Sequence, residues 1–590
     1  MPESTYWERT DRFEDKLRLL EAAWKRGDRR MARALAASIR TTAIQQAQEE
    51  DAPDAPLTPV TSHGNTSDLP APWRDWARGW RRFCVFHLDE TAGVPRPPEP
   101  VDVALRVSLN EAADLTREMR LARVDNGALI EVPCQVHGEV ARRDYRACRL
   151  LFMAVSAAHT RSTWLVFYGN PDAELPEYPT DLRVSGEGFA LDIENDFFRA
   201  SLSRQMGQLE RLTFKREHGL ELFAGGEGHG EPPGIDWAHD YVTSGNFQKM
   251  RITLWETPPD YEVIRGPLAT IVRRWGFPHS PVHPLFAPAR VHFDVEYRFY
   301  AGLPWFHKTG RIDVIKDVEA DALRDDEWVF SGQSFTDPIW IGPDGKAHLG
   351  EVPKDMAEKL WGVGFVNRAA GDAFVALFLE HRGEGLPELR HTGAPLMFYR
   401  WHGHVWSRYP LPVKQAPAGA VLHQRNAYAA LHYRDEAQVE AIRRRLVSPL
   451  AASDGELPRG MAAKAVGSLA RPGEAGDSAV PKAALWEALR DCKDEQLYKA
   501  DVSVVDLGLV RDLRVRNGVV TVVMQMPHRG RPRIGYFEFG SGGNSVPVRQ
   551  RLMRVAGVRH VVVEQVWDPA WSSNRLTAEG RRKLGLEDRA

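Results

Sequence analysis

Cysteine is scarce in this sequence. Cys84, Cys134, Cys148 and Cys492 are the four in 590 residues. They are too few and too far apart for a disulfide framework or a CxxC zinc or cluster motif, which leaves buried reduced thiols as the expectation. Long apolar runs are also missing: nothing approaches the roughly 18 uncharged residues of a membrane-crossing helix. The N-terminus, MPESTYWERTDRFEDKLRLL, has no apolar stretch of the secretory kind. A cytoplasmic protein without a membrane partner is expected. Charge of one sign is not in excess either, since 77 Lys and Arg face 80 Asp and Glu for a net charge of −3. That balance gives no electrostatic case for a nucleic-acid partner. No period of 20–50 residues recurs, so solenoids and propellers have no support. What the chain does contain is 18 Trp and 20 His, gathered toward its middle.

The texture of the chain divides it. Residues 1–50 read as a helical hairpin, with Trp7, Phe13, Leu17, Leu20 and Trp24 at three- and four-residue steps, GDRR at 27–30 as punctuation, and Met31, Leu35 and Ile39 beyond. Residues 51–72, rich in Pro, Asp, Ser and Thr, read as a linker. From 73 the texture is β. Short alternating runs such as CVFHL, TWLVFYG, FALDIEN, RVHFDVEYRFY, GRIDVIKDVE and AYAALHYRD are separated by Gly, Pro and Asn without a βαβ period. The fold class expected is therefore multidomain and mainly β, with a β-rich domain at 73–180 and a large antiparallel β-sandwich at 181–448 holding the active site. An Ala, Gly, Ser and Pro-rich linker at 449–483 leads to an α+β domain at 484–590.

In that last domain LWEALRDCKDEQL, VSVVDLGLVRDLRV and GVRHVVVEQVWDPAWSSNRLTAEGRRKLGL resemble the PaaD-like family of iron–sulfur cluster assembly accessory domains over roughly residues 484–587. The resemblance implies a cysteine in the loop after the second strand as the contact for iron or a cluster. Here that stretch, MPHRGRPRIGYFEFGSGGNS, has none, and Arg529, Arg531 and Arg533 offer neither thiolate softness nor ligand number. No iron–sulfur cluster is expected, and Cys492 in the first helix reads as a buried thiol. The arginines and glycines of the loop leave two readings open, a solvated basic loop or an anion- or partner-docking surface.

The densest polar segment is GGEGHGEPPGIDWAHDY at 225–241. Charged groups in a Gly- and Pro-rich stretch suit a functional loop on a rigid scaffold. His229, Glu231, Asp236, His239 and Asp240 are the candidate acid, base or ligand groups, since a histidine exchanges a proton near neutral pH. Trp237 and Tyr241 would pack on substrate, and Lys249 and Arg251 would stabilise charge. His402 and His404, two apart in FYRWHGHVWSRYP, would project to one side of a strand and with His239 could hold a divalent metal, Zn, Mn or Fe, if the protein uses one. Ordinary sheet-surface histidines explain the same pattern. Asp325, Asp326 and Glu327 could supply an acid and a base or simply cap a strand end.

The order FALDIENDFFRASLSRQMGQLERLTF, YEVIRGPLATIVRR and VEYRFYAGLPWFHKTGRIDV is similar to the large β-sandwich of galactose-mutarotase-like proteins, polysaccharide lyases and some glycosidases over about 185–435. The likeness implies acid–base chemistry on sugars from one sheet face and assigns no residue. Together these features point to an enzyme acting on a carbohydrate or similar polar cyclic substrate by lyase or hydrolase chemistry. Two competitors stand beside it: a non-catalytic accessory subunit docking on a metal or iron–sulfur maturation partner through the C-terminal domain, and a carbohydrate-binding protein without turnover.

Overall fold

The structure, a computed structural model, describes residues within 17–39, 60–215, 221–223, 235–242, 249–255, 259–279, 291–319, 322–329, 337–386, 396–399, 405–409, 415–467, 480–493, 501–525, 548–566 and 571–586, with short breaks inside several of these stretches. It is mainly β and multidomain, as the alternating runs indicated. The chain divides into two compact units, one formed by residues 180–448 and the other by 1–179 together with 449–590. Among the described residues no helix is long and apolar enough to cross a membrane.

In the discontinuous unit, period-2 alternation buries strands on both faces. Along Arg82–Asp89, Cys84, Phe86 and Leu88 enter one core with Phe152, Trp164 and Val166, while Phe83 and Val85 enter another with Trp73, Trp76 and Phe167. Because successive side chains point to opposite faces, a one-residue slip of this strand would exchange its two cores. Part of the expected linker has a structural job. Ala451–Asp454 pairs antiparallel with Phe86–Asp89, and the Asp454 carboxylate accepts from the Thr61 backbone N–H at 2.6 Å. The expected N-terminal hairpin is described in pieces: helical residues lie on both sides of Gly27, whose φ of +76° makes the turn.

The C-terminal portion mixes helices and strands. Helix Lys482–Arg490 precedes strands Val510–Arg516 and Val519–Gln525, helix Val548–Leu552, strand His560–Val566 and helix Ala578–Leu584. The last two strands run parallel. Val520, Val522 and Met524 face Leu485, Leu489 and Leu552 in its core. One segment departs from its local pattern: VVDLG, whose β-branched run suits a strand, is a turn. Ser503 N–H donates to Asp506 and Asp506 N–H to Ser503 Oγ, so side chains take the backbone groups a ladder would use. Gly508 has φ +63°, and a Cβ there would lie 1.8 Å from the Arg575 carbonyl oxygen. Trp571 Nε1–H donates to Leu507 O at 2.7 Å, and Lys583 to Asp506 at 2.8 Å. The residues that carry the PaaD-like resemblance are thus largely the two halves of one packing device.

The continuous unit is a sandwich. One sheet, of ten strands among the described residues, includes β1 (Ile235–Val242) and β2 (Lys249–Arg251). The facing sheet, of nine, includes β3 (Asp260–Arg265), β4 (Ala269–Gly276), β5 (Val291–Tyr300) and β6 (Trp305–Val314). In the first sheet lie β7 (Ala322–Val329) and β9 (Val405–Tyr409), and in the second β8 (Asp372–Glu384) and β10 (Val421–His432). Helix α1 (Glu436–Val447) follows, capped by Asp435, whose side chain accepts from Gln438 N–H. The core between the sheets takes Tyr297, Phe299, Phe306, Phe374, Phe378 and Tyr428 from the nine-stranded sheet and Phe198, Leu209 and Phe214 from its partner.

Candidate functional site

Since Tyr297, Phe299, Phe306 and Tyr428 face the core, the alternate residues of β5, β6 and β10 share the opposite face. The order β3-β4-β5-β6-β10-β8 sets them side by side. The register places Arg273 opposite Glu296, Glu296 opposite Thr309, and Thr309 opposite Arg425, which meets Glu380 of β8. One row along, Arg298 lies opposite His307. On the other side Asp294, Arg311 and His423 form a further row ending at Arg382. Side chains opposite one another in such a ladder have Cβ atoms about 4.5–5.5 Å apart.

These charges are paired. Arg273 Nε donates to Asp294 at 2.8 Å, Arg298 Nε to Glu296 at 2.5 Å and Arg311 Nη2 to Asp313 at 2.6 Å. Burial works against the charge on Arg273, but the neighbouring carboxylates, Asp294 first, hold its pKa above the ordinary value. Burial likewise opposes ionisation of Asp313, yet its hydrogen-bonding and charged neighbours, Arg311 among them, hold its pKa below the usual carboxylate value. Arg425 points to Glu380 at 3.7 Å and donates to Leu446 O near the C-terminal end of α1 at 3.3 Å.

The imidazoles are different. His307 Nδ1 shares a hydrogen bond of 2.9 Å with the Tyr300 hydroxyl, while its Nε2 is shielded from solvent and has no hydrogen-bond partner. Burial, then the Arg425 and Arg298 charges, push its pKa well below 6.5. His423 is lowered in the same direction by burial and by Arg311 and Arg382. Both rings are therefore uncharged at neutral pH. Trp305 and Tyr300 flank His307 with ring centroids at 4.9 and 5.7 Å. An uncharged histidine fixed at one nitrogen, flanked by buried aromatic rings and on the same sheet face as the Glu296–Arg298 pair, can move a proton at Nε2.

The residues singled out from sequence lie elsewhere. Asp236, Trp237, His239, Asp240 and Tyr241 are on β1, and Lys249 and Arg251 on β2, both in the ten-stranded sheet, with Asp240 registered against Arg251. His229, Glu231, His402 and His404 lie outside the described residues, as does the 526–545 loop with Arg529, Arg531 and Arg533. β9, the strand after His404, is separated from β1 by β7, two strand spacings or about 10 Å. Asp325, Asp326 and Glu327 are on β7. Among the described residues no three His, Cys, Asp or Glu gather as a metal-binding group. Cys492 is buried, with its thiol directed to Ala488 O at 3.7 Å, and burial pushes its pKa up to about 12.

The polar face left one sequence signal. HFDVEYRFY and WFHKTGRID place His, Asp, Glu, Arg and Tyr at every second position of two successive strands. Such alternation also describes any half-solvated strand, and only the register shows that charges of opposite sign meet across it.

No protein family profile and no curated protein matches the chain. Solved structures do. A protein in the glycosyl hydrolase family 38 from Enterococcus faecalis is 11% identical, covering 67% of this chain and 49% of its own, with a TM-score of 0.40. A galactose 1-epimerase from Lactobacillus acidophilus is 7% identical over 41% of this chain and 94% of its own, with a TM-score of 0.23. A domain of unknown function, DUF59, from Bacillus anthracis is 28% identical over 18% of this chain and 95% of its own, with a TM-score of 0.15. The chain thus spans about half the length of the glycosyl hydrolase that it is similar to.

Proposed function

We propose that the chain is an enzyme acting on a carbohydrate by lyase- or hydrolase-type acid–base chemistry, with its site on the outward face of β4, β5, β6 and β10. The observation that carries this reading is His307, an uncharged imidazole tied to Tyr300 at Nδ1 and unpaired at a shielded Nε2. Nε2 exchanges the proton with substrate. If Tyr300 accepts from Nδ1–H, Nε2 is the base; if the Tyr300 hydroxyl donates to Nδ1, Nε2–H is the acid. Glu296, oriented by Arg298, is the second group of the pair. Trp305 and Tyr300, both almost wholly buried, hold the imidazole in place. Sugar-acting proteins occur among the similar solved structures, and what supports the reading is the sheet face itself.

The test is a panel of oligosaccharides and aryl glycosides assayed for new reducing ends and for unsaturated products. Turnover by the wild type that falls about 100-fold or more in His307→Gln, with unchanged circular dichroism, supports the site. Turnover unaffected by His307→Gln but abolished by His239→Gln would move the chemistry to β1. Binding to an immobilised glycan that depends on Trp305, without turnover at any pH, would make the protein a carbohydrate binder instead.

A further inference from the structure

The turn between β5 and β6 is held from the other sheet. Asn195, 1% exposed, donates from one amide nitrogen to Tyr300 O at 3.0 Å and to Leu303 O at 2.8 Å. Its carbonyl oxygen accepts from the Phe197 and Phe198 N–H groups at 2.9 and 3.1 Å. A primary amide has two donors and two acceptor positions, so every valence is used. Asp181 repeats the arrangement with a carboxylate, accepting from Gly302 N–H at 2.9 Å and from Asp196 N–H at 3.1 Å. Gly302 has φ +67°, a conformation that a side chain there would strain. The turn held this way carries Tyr300 at one end and Trp305 at the other, the two rings against His307.

We infer that Asn195 and Asp181 are positioning residues for His307, acting through the Tyr300–Trp305 turn to keep the Tyr300 hydroxyl on Nδ1 and so to fix which proton state Nε2 presents. The inference rests on His307 being the working imidazole, but its central observable is independent of turnover. A buried amide that only stabilised the sandwich could join any two turns; this one and its acidic neighbour converge on the turn that separates two site residues. Fixing a histidine tautomer through the nitrogen not in use is a general means of setting the other nitrogen's role.

The experiment is nitrogen-15 NMR of histidine-labelled full-length protein, with the His307 signal assigned by its loss in His307→Gln. In the wild type His307 should be one neutral tautomer across the neutral range. In Asn195→Ala it should become a mixture of tautomers, with its titration moved toward the ordinary histidine value of about 6.5. Tyr300→Phe should give the same signature without disturbing the turn, and Asp181→Asn, which keeps one acceptor, should fall between wild type and Asn195→Ala. An unchanged tautomer and titration in a folded Asn195→Ala protein overturns the inference. Should that variant not fold, Asp181→Asn decides: a wild-type signal rejects the positioning role and an intermediate one supports it. If the tautomer shifts while no sugar is turned over by the wild type, the clamp stands and the proposed function falls.

Discussion

Where Phe299 pairs with Phe306 and Phe306 with Tyr428, the two faces of the nine-stranded sheet are made by the same strands and obey opposite rules. On the inner face Phe299, Phe306 and Tyr428 stack against one another, Phe306 and Tyr428 with ring centroids 5.3 Å apart, and satisfy themselves by excluding water. The outer face, reached by moving one residue along each strand, is a lattice of Arg–carboxylate pairs and uncharged histidines. Partly buried charge of this kind adds little net stability, because desolvation offsets much of the Coulomb attraction. A sheet that needed only to fold could have carried Thr, Lys and Glu in solvent. The contrast teaches that the inner face answers for the fold, while the outer face carries the groups on which the proposed chemistry rests.

Substitutions can break that division. The largest expected effect is on the inner face: Phe306→Ala, removing a fully buried ring among Phe198, Tyr297, Phe299 and Tyr428, should cost about 3–5 kcal/mol by chemical denaturation. A cost below about 1 kcal/mol would mean the inner face is not the core. Next is Asp294→Ala on the outer face, which leaves Arg273 without its main partner. Glu262 and Glu296 remain near that guanidinium, so the loss should be about 2 kcal/mol rather than the larger value for a wholly orphaned buried charge.

Acid comes third. His307 and His423 have pKa values lowered by folding, so the unfolded chain binds more protons below about pH 6.5 and stability falls as pH drops toward the folded values. Each contributes at most about 1.4 kcal/mol per pH unit. His307→Gln should therefore flatten the loss of stability between neutral and mildly acidic pH, and identical acid curves for variant and wild type would deny its uncharged state. Least should be Thr309→Val, which alters the outer face without touching a charge and should stay within about 0.5 kcal/mol.

Much of the fold was legible in the sequence. Period-2 runs identified the strands, and IEN with YAGLPW marked what prove to be the two ends of the Asn195 clamp. VVDLG was harder, since a β-branched run reads as strand until one sees Ser503 and Asp506 bonding each other's backbone. Composition drew attention to 225–241 because glycine and proline around histidine look like a functional loop. The outer-face residues of β5 and β6 drew none, because alternation conceals which polar residues lie side by side. Arg273, Glu296 and Arg425 are 152 positions apart from first to last, and only the ladder order makes them one row.

The pairing of Ala451–Asp454 with Phe86–Asp89 also sets a clock. Thr61 and Asp454, bonded in the finished protein, are 393 positions apart. At about 5–20 residues per second of synthesis, the first strands must wait roughly 20–80 s for that partner. During that interval the edge of Arg82–Asp89 that Ala451–Asp454 will cover is an open row of backbone donors and acceptors, the kind of edge that recruits other chains. The whole sandwich of 180–448 is made within the wait, so a variant that slows its folding should be seen first as aggregation of nascent chains.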